Sequence, residues 1–146
     1  MNPKKVLIAS DHAGYALKEQ VERVLRARGF DVEDLGTSNA ESTDYADFAH
    51  PLARRVASGE VSQGVLICGT GLGMSYVANR YPGVRAAVSW APEIASLARQ
   101  HNDANVLVLP ARFVSADDAE KIVDSWLAAK FEGGRHARRV EKIERK

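Results

Sequence analysis

The chain has 146 residues, enough for one domain of ordinary size that can bury a core without covalent staples. With 45% hydrophobic and 27% charged residues and a formal net charge of +1, it exerts no overall pull on nucleic acid or acidic membranes, so any anion must be held by locally placed cations. A single cysteine excludes an intrachain disulfide; with no secretory pattern and no apolar run near the ~20 residues of a membrane span, the expected compartment is the cytoplasm.

Short apolar runs alternate with longer amphipathic ones, the βαβ pattern of a parallel sheet covered on both faces. In chain order, the first strand is predicted over Lys5–Ser10 and a helix over 14–28, where Leu17, Val21, Val24 and Leu25 repeat at helical spacing before Gly29. A strand over 31–35 carries Val32 and Leu35 among acids, which suits an edge. A helix over 47–58 places Leu52 and Val56 on one face. The third strand, Gly64–Cys68, is a continuous apolar run, as strands buried on both faces are. A helix then starts near Gly71 and stops before Pro82. A strand over 85–89 and a helix from Pro92 to about His101 follow. The fifth strand spans 105–109. Ser115 with Asp118 reads as a capping box for a helix whose core stripe is Ile122, Val123, Trp126 and Leu127. Gly133-Gly134 precedes a last helix over 135–146, apolar only at Val140 and Ile143. A stripe that thin suits packing on a partner or on the domain's own flank. One domain with a C-terminal arm is the economical reading.

The sharpest chemical feature is Cys68-Gly69-Thr70-Gly71-Leu72-Gly73, between an apolar strand and a helix. Glycines permit a tight turn that aims several N–H groups at one spot, and the helix dipole adds to that field. The same residues also serve as a plain strand-to-helix turn. The G-x-G-x-G spacing after the third strand, with no acid about 20 residues on, does not fit a dinucleotide fold, and without a lysine the loop is no P-loop. Cys68 reads either as a small buried hydrophobe or as a base, since the carboxyl ends of parallel strands line the binding crevice. Asp11 and His12 end the first strand on that same edge, where they are a helix cap and a loop residue, or proton carriers and anion ligands. Arg135 and Arg139 share one helix face and can grip a phosphate or simply meet solvent; Arg112 can join them. His101 ends a helix, where the dipole favours it. The four histidines are scattered and no spacing suggests a metal site.

Ser10-Asp11-His12-Ala13-Gly14, Gly36-Thr37 with Thr43-Asp44-Tyr45, Ile67 to Gly73, Arg99-Gln100-His101-Asn102-Asp103, Ala111-Arg112 and Glu132-Gly133-Gly134-Arg135-His136 with Arg139 occur together in this order. In that set the chain resembles the family of ribose-5-phosphate isomerase B and the allose-6-phosphate and galactose-6-phosphate isomerases, over essentially its whole length. The resemblance implies a three-layer α/β/α, Rossmann-like domain with a five-stranded parallel sheet in the order 2-1-3-5-4. It implies a homodimer, or a tetramer built from two of them, and no metal, nucleotide or other cofactor. The implied reaction interconverts D-ribose 5-phosphate and D-ribulose 5-phosphate. Cys68 is then the base, and His101 opens the furanose ring. Asp11 and Thr70 assist proton movement, while the amides of Gly69, Gly71, Leu72 and Gly73 hold the enediolate. Asn102 and Ser10 bind the sugar, Tyr45 borders it, and His12, Arg112, Arg135 and Arg139 surround the phosphate. Ser10 stands where some relatives have a second cysteine. A six-carbon sugar phosphate and a non-catalytic sensor of sugar phosphates are the alternative readings.

Topology adds one expectation. His101 and Asn102 end a helix and precede the fifth strand, which in a parallel sheet puts them at the amino edge, opposite Cys68. They are therefore expected to enter the site of a neighbouring subunit, and the last helix to brace that pairing.

Overall fold

A computed structural model describes residues 4–144. Five strands, β1 (Lys5–Ser10), β2 (Asp31–Asp34), β3 (Gly64–Cys68), β4 (Ala86–Val88) and β5 (Val106–Pro110), form one sheet in the order β2-β1-β3-β5-β4. Every pairing is parallel, so each connection crosses over a face of the sheet. The helices are α1 (Tyr15–Ala27), α2 (Tyr45–Ala57), α3 (Leu72–Ala78), α4 (Pro92–Asn102), α5 (Ala116–Ala128) and α6 (Arg135–Glu141). No helix among the described residues is long and apolar enough to cross a membrane.

Strand alternation sorts the core into two layers. Val6, Ile8, Val65, Ile67, Leu107 and Leu109 face α1, α4 and α5, where Leu17, Val21, Leu25, Ile122, Val123 and Trp126 cover them. Leu7, Ala9, Leu66, Cys68, Val106 and Val108 face α2 and α3, against Leu52, Val56 and Met74. Cys68 thus belongs to the α2–α3 face, at the carboxyl end of a central strand.

The sheet order is the one the family resemblance implies, and helices cover both faces as the alternating pattern predicts; the boundaries differ in ways that matter for the site. The first helix begins as a separate 3-10 turn, His12–Gly14, because the Asp11 side chain accepts from the Gly14 N–H at 3.1 Å. Gly14 is needed there, since a Cβ would lie 2.6 Å from the Ile67 carbonyl oxygen. α2 starts two residues earlier than its spacing suggests, which brings Tyr45 into its first turn. Edge strand β4 is shorter than predicted: Arg85 donates its N–H to the Asn105 side chain at 2.8 Å instead of extending the ladder. The Ser115–Asp118 capping box forms as expected.

The predicted 135–146 helix is corrected. It ends at Glu141, a turn follows, and residues 145–146 lie outside the described chain. Two turns with Ile143 56% exposed bury too little apolar surface to hold a longer helix. α6 packs on α4 of its own chain, and beyond it Glu144 accepts from the Gly83 N–H at 2.8 Å. The arm therefore lies across the amino edge of its own sheet.

Candidate active site

At the carboxyl edge the backbone does most of the positioning. Gly71 adopts φ 78°, a left-handed conformation that L-residues reach only with strain, and so turns its N–H onto Cys68 Sγ at 3.2 Å. The thiol is 5% exposed, at the mouth of α3. Thr70 is exposed and its hydroxyl oxygen accepts from the Leu72 N–H at 3.2 Å. Two glycines act as seats for side chains. An added Cβ on Gly69 would lie 3.1 Å from an Arg112 guanidinium nitrogen, and one on Gly73 would lie 2.5 Å from the Tyr45 ring. Arg112 and Tyr45 are thus laid against the cysteine loop from opposite ends of it. The Arg112 N–H also donates to the Gly69 carbonyl at 3.0 Å, which fixes where that side chain starts.

The first strand supplies the neighbours. Asp11 is buried, its N–H donates to the Ile67 carbonyl at 3.3 Å, and one carboxylate oxygen is engaged as the cap. The His12 N–H donates to Thr43 Oγ1 at 3.0 Å while His12 Nδ1 accepts from the Thr43 N–H at 3.1 Å. Acceptance at Nδ1 places the proton of a neutral ring on Nε2, which leaves that N–H to donate. The reciprocal pairing of Thr43 with His12 depends on a loop approach that sequence spacing does not reveal. Ser10 is fully buried, and strand alternation turns it toward α1 and α5, away from Cys68.

Beside this loop lies an open apolar hollow of about 530 Å³ lined by Thr70, Leu72, Val88, Trp90, Pro110 and Phe113. Trp90 and Phe113 are 59% and 72% exposed, an unusual presentation for residues that large.

The amino edge holds the other predicted residues. His101, at the end of α4, stacks on His136 of α6 with ring centroids 4.2 Å apart and planes 9° from parallel. Glu132 sits between them, its Oε1 being 3.8 Å from His101 Nε2 and 3.5 Å from His136 Nε2. The Glu132 N–H donates to the Gln100 carbonyl at 3.0 Å, which ties the arm to the end of α4. Burial above all, then the neighbouring His101 and Arg135 charges, pushes the buried His136 below the ordinary imidazole range, with Glu132 opposing. Arg135 and Arg139 are exposed on the same short helix, and Asn102 is exposed beside it, lining a second hollow of about 360 Å³ with Asn79, Arg85 and Ile143. The histidines are therefore not all scattered: two of the four are stacked. Glu132 and His136 are four residues apart, but His101 joins them only through tertiary packing, which its separation in sequence hid.

At about 3.3 Å per residue, the five residues of β5 hold the two edges roughly 15 Å apart. The structure thus brings Cys68, Thr70, Asp11, His12, Tyr45 and Arg112 to one edge, and His101, Asn102, Arg135 and Arg139 to the other.

A ribose/galactose isomerase family pattern matches residues 6–143. The chain belongs to that family. It is 49% identical to ribose-5-phosphate isomerase B of Escherichia coli over 140 residues, covering 96% of this chain and 94% of the relative. The fold is similar to that of a Thermotoga maritima ribose 5-phosphate isomerase, with a TM-score of 0.94, 51% identity, and coverage of 97% and 98% of the two chains. It is also similar to ribose-5-phosphate isomerase B of Mycoplasma genitalium with bound ribulose-5-phosphate, with a TM-score of 0.92, 46% identity, and coverage of 97% and 94%.

Proposed function

We propose that this chain interconverts D-ribose 5-phosphate and D-ribulose 5-phosphate through a cis-enediolate, in a homodimer whose sites are each built from both subunits. The observation that carries the reading is the Gly71 N–H aimed at Cys68 Sγ at the head of a helix, where a sulfur anion and a developing oxyanion share one positive field.

The chemical difficulty is removing a proton from carbon. Abstraction from C2 of the open-chain aldose by the Cys68 thiolate pushes the C–H electron pair into a C1–C2 double bond and the carbonyl pair onto O1. Amides of the Gly69–Gly73 loop receive that charge; one such donor is worth about 3 kcal/mol in comparable sites. Asp11 and Thr70 assist transfer of the O2 proton to O1. The Cys68 S–H then delivers its proton to C1, O2 becomes the ketone oxygen, and the thiolate is regenerated. The phosphate takes no part in bond changes. Its binding by His12 Nε2–H and Arg112, which lie beside the loop, holds the sugar chain in register and converts binding energy into orientation.

Ring opening needs a group that takes the anomeric hydroxyl proton and returns one to the ring oxygen. His101 suits this, yet it lies about one strand length from the sulfur of its own chain. His101, Asn102, Arg135 and Arg139 of a second copy therefore complete the site. The exposed Trp90 and Phe113 beside the loop supply apolar surface for that copy. A catalytic free thiol suits the reducing cytoplasm.

The test is hydrogen exchange into ribose 5-phosphate from heavy water, with turnover followed in the same sample. The parent is expected to exchange and isomerise. Cys68→Ser should lose about 10²–10⁴-fold in both, the usual contribution of a positioned base. Equal exchange in the two proteins would remove Cys68 from the reaction.

A further inference from the structure

His101, Glu132 and His136 offer three ligand atoms that all lie within 4.8 Å of one another. Two of the separations are diagnostic. At 3.5 and 3.8 Å the Glu132 oxygen is too far from either imidazole nitrogen for a good hydrogen bond. Two atoms bound to one tetrahedral Zn²⁺ at about 2.0–2.1 Å stand roughly 3.3 Å apart, so each Glu132–imidazole pair needs to close by only a few tenths of an ångström, while the two imidazole nitrogens, within 4.8 Å of each other, close by up to about 1.5 Å. The near-parallel ring stack brings both imidazole edges to the same carboxylate, and the half-exposed His101 ring has room to tilt out of the stack, as it must for both nitrogen lone pairs to meet at one ion.

A second observation points to a ligand independently. His136 is 7% exposed, and its Nε2 has no hydrogen-bond partner among the described residues. A buried polar atom is seldom left unmatched, and this one faces the gap that the other two groups border. His101 and Glu132 are 40% and 52% exposed in their side chains, so the gap opens to solvent and an ion has a way in.

We propose that His101, Glu132 and His136 form a three-ligand site for a zinc-class divalent cation, and that its occupancy inhibits the enzyme by withholding His101 from ring opening. Two imidazoles and a carboxylate select Zn²⁺, Co²⁺ or Ni²⁺ over Mg²⁺, which favours oxygen ligands and dehydrates reluctantly. Three protein ligands leave one coordination position for water. Arg135 and Arg139 on the same helix oppose a cation, and the Glu132 carboxylate offsets part of that repulsion. The result is a regulatory site of reversible affinity rather than a resident cofactor site. The inhibitory half rests on the role given to His101 above; the binding half does not.

The experiment measures binding apart from activity. Zn²⁺ is titrated into the purified full-length protein against a chromophoric chelator, without substrate, and Co²⁺ is used for its absorption spectrum. The parent and Cys68→Ser should bind one ion per chain, with tetrahedral Co²⁺ bands and no sulfur-to-cobalt charge transfer. His136→Ala should weaken binding roughly tenfold or more, and Glu132→Gln, an exposed change that leaves the core intact, should weaken it in the same direction. Turnover of ribose 5-phosphate should fall as the site fills, and Mg²⁺ should change neither reading. Absence of binding, unchanged affinity in both variants, or loss of binding in Cys68→Ser would overturn the site. Binding as expected with turnover untouched would overturn the inhibitory claim together with the role of His101.

Discussion

The two edges of the sheet are built in different ways. At the carboxyl edge, function is written into a few consecutive residues: a strand ends, Gly71 turns left-handed, and one amide points at one sulfur. At the amino edge, the arrangement joins distant parts of the chain. His101 closes α4, while Glu132 and His136 arrive with the arm, and side chains rather than backbone define the arrangement. A site made from backbone can hold charge without moving, which suits an intermediate. A site made from side chains at the end of α4 and on the two-turn α6 can adjust, which suits the proposed delivery of these groups to another chain.

The largest effect after loss of the thiol itself is expected from Gly71→Ala. A Cβ there strains a positive φ and meets Val108 and Val88 at 3.2 Å, so the amide leaves the sulfur. Turnover should fall about 10²-fold with the chain still folded, the scale of one lost oxyanion donor. An activity within about twofold of the parent would show that this backbone is not what the chemistry uses.

Gly73→Ala is milder. The new methyl displaces the Tyr45 ring, which is 42% exposed and can swing away. The expectation is a rise in KM of about tenfold with kcat changed less, because the proposed sugar-bordering contact is lost while the proton chemistry stays. A fall confined to kcat would place Tyr45 at the reacting carbons instead.

Two further changes avoid both edges' reactive groups and test stability alone. Arg55 hydrogen bonds first, then Lys5, hold the Glu33 carboxyl down at about 2 from an ordinary value of 4.5. A carboxylate with a depressed folded pKa adds stability that is complete above its unfolded value and lost as pH falls through the folded one. Thermal midpoints of parent and Glu33→Gln should therefore differ near neutrality and converge between about pH 4.5 and 2, with only a modest gap because the pair is partly exposed. Glu22 has the opposite sign. Burial above all, then the Asp34 charge, raises its carboxyl, so its ionisation costs stability as pH rises. Glu22→Gln should raise the midpoint at pH 7 by less than about 2 °C, since the Arg26 pairing is lost at the same time. Unchanged turnover in both variants is the check that the edges were left alone.

This contrast also explains what the sequence could say. Apolar runs and glycine punctuation mark all five strands, the helices between them and the cysteine loop, because those depend on neighbours in the chain. The Ser115–Asp118 cap was legible for the same reason. The His12–Thr43 pairing, the Arg112 seat on Gly69 and the His101–His136 stack were not, because each depends on where a distant loop returns. Ser10 shows the limit of a motif: the resemblance implies a sugar contact there, while the pleat turns its buried side chain into the opposite layer. The arm's length failed because its last apolar residue finds little to cover.

Subunit mixing tests the two-edge account most directly. Cys68→Ala and His101→Ala chains, each inactive alone, are combined, allowed to exchange and assayed with ribose 5-phosphate. If each site takes its sulfur from one chain and its imidazole from the other, random pairing restores about a quarter of the parent activity. Demonstrated exchange of subunits with no recovery of turnover would contradict the shared site.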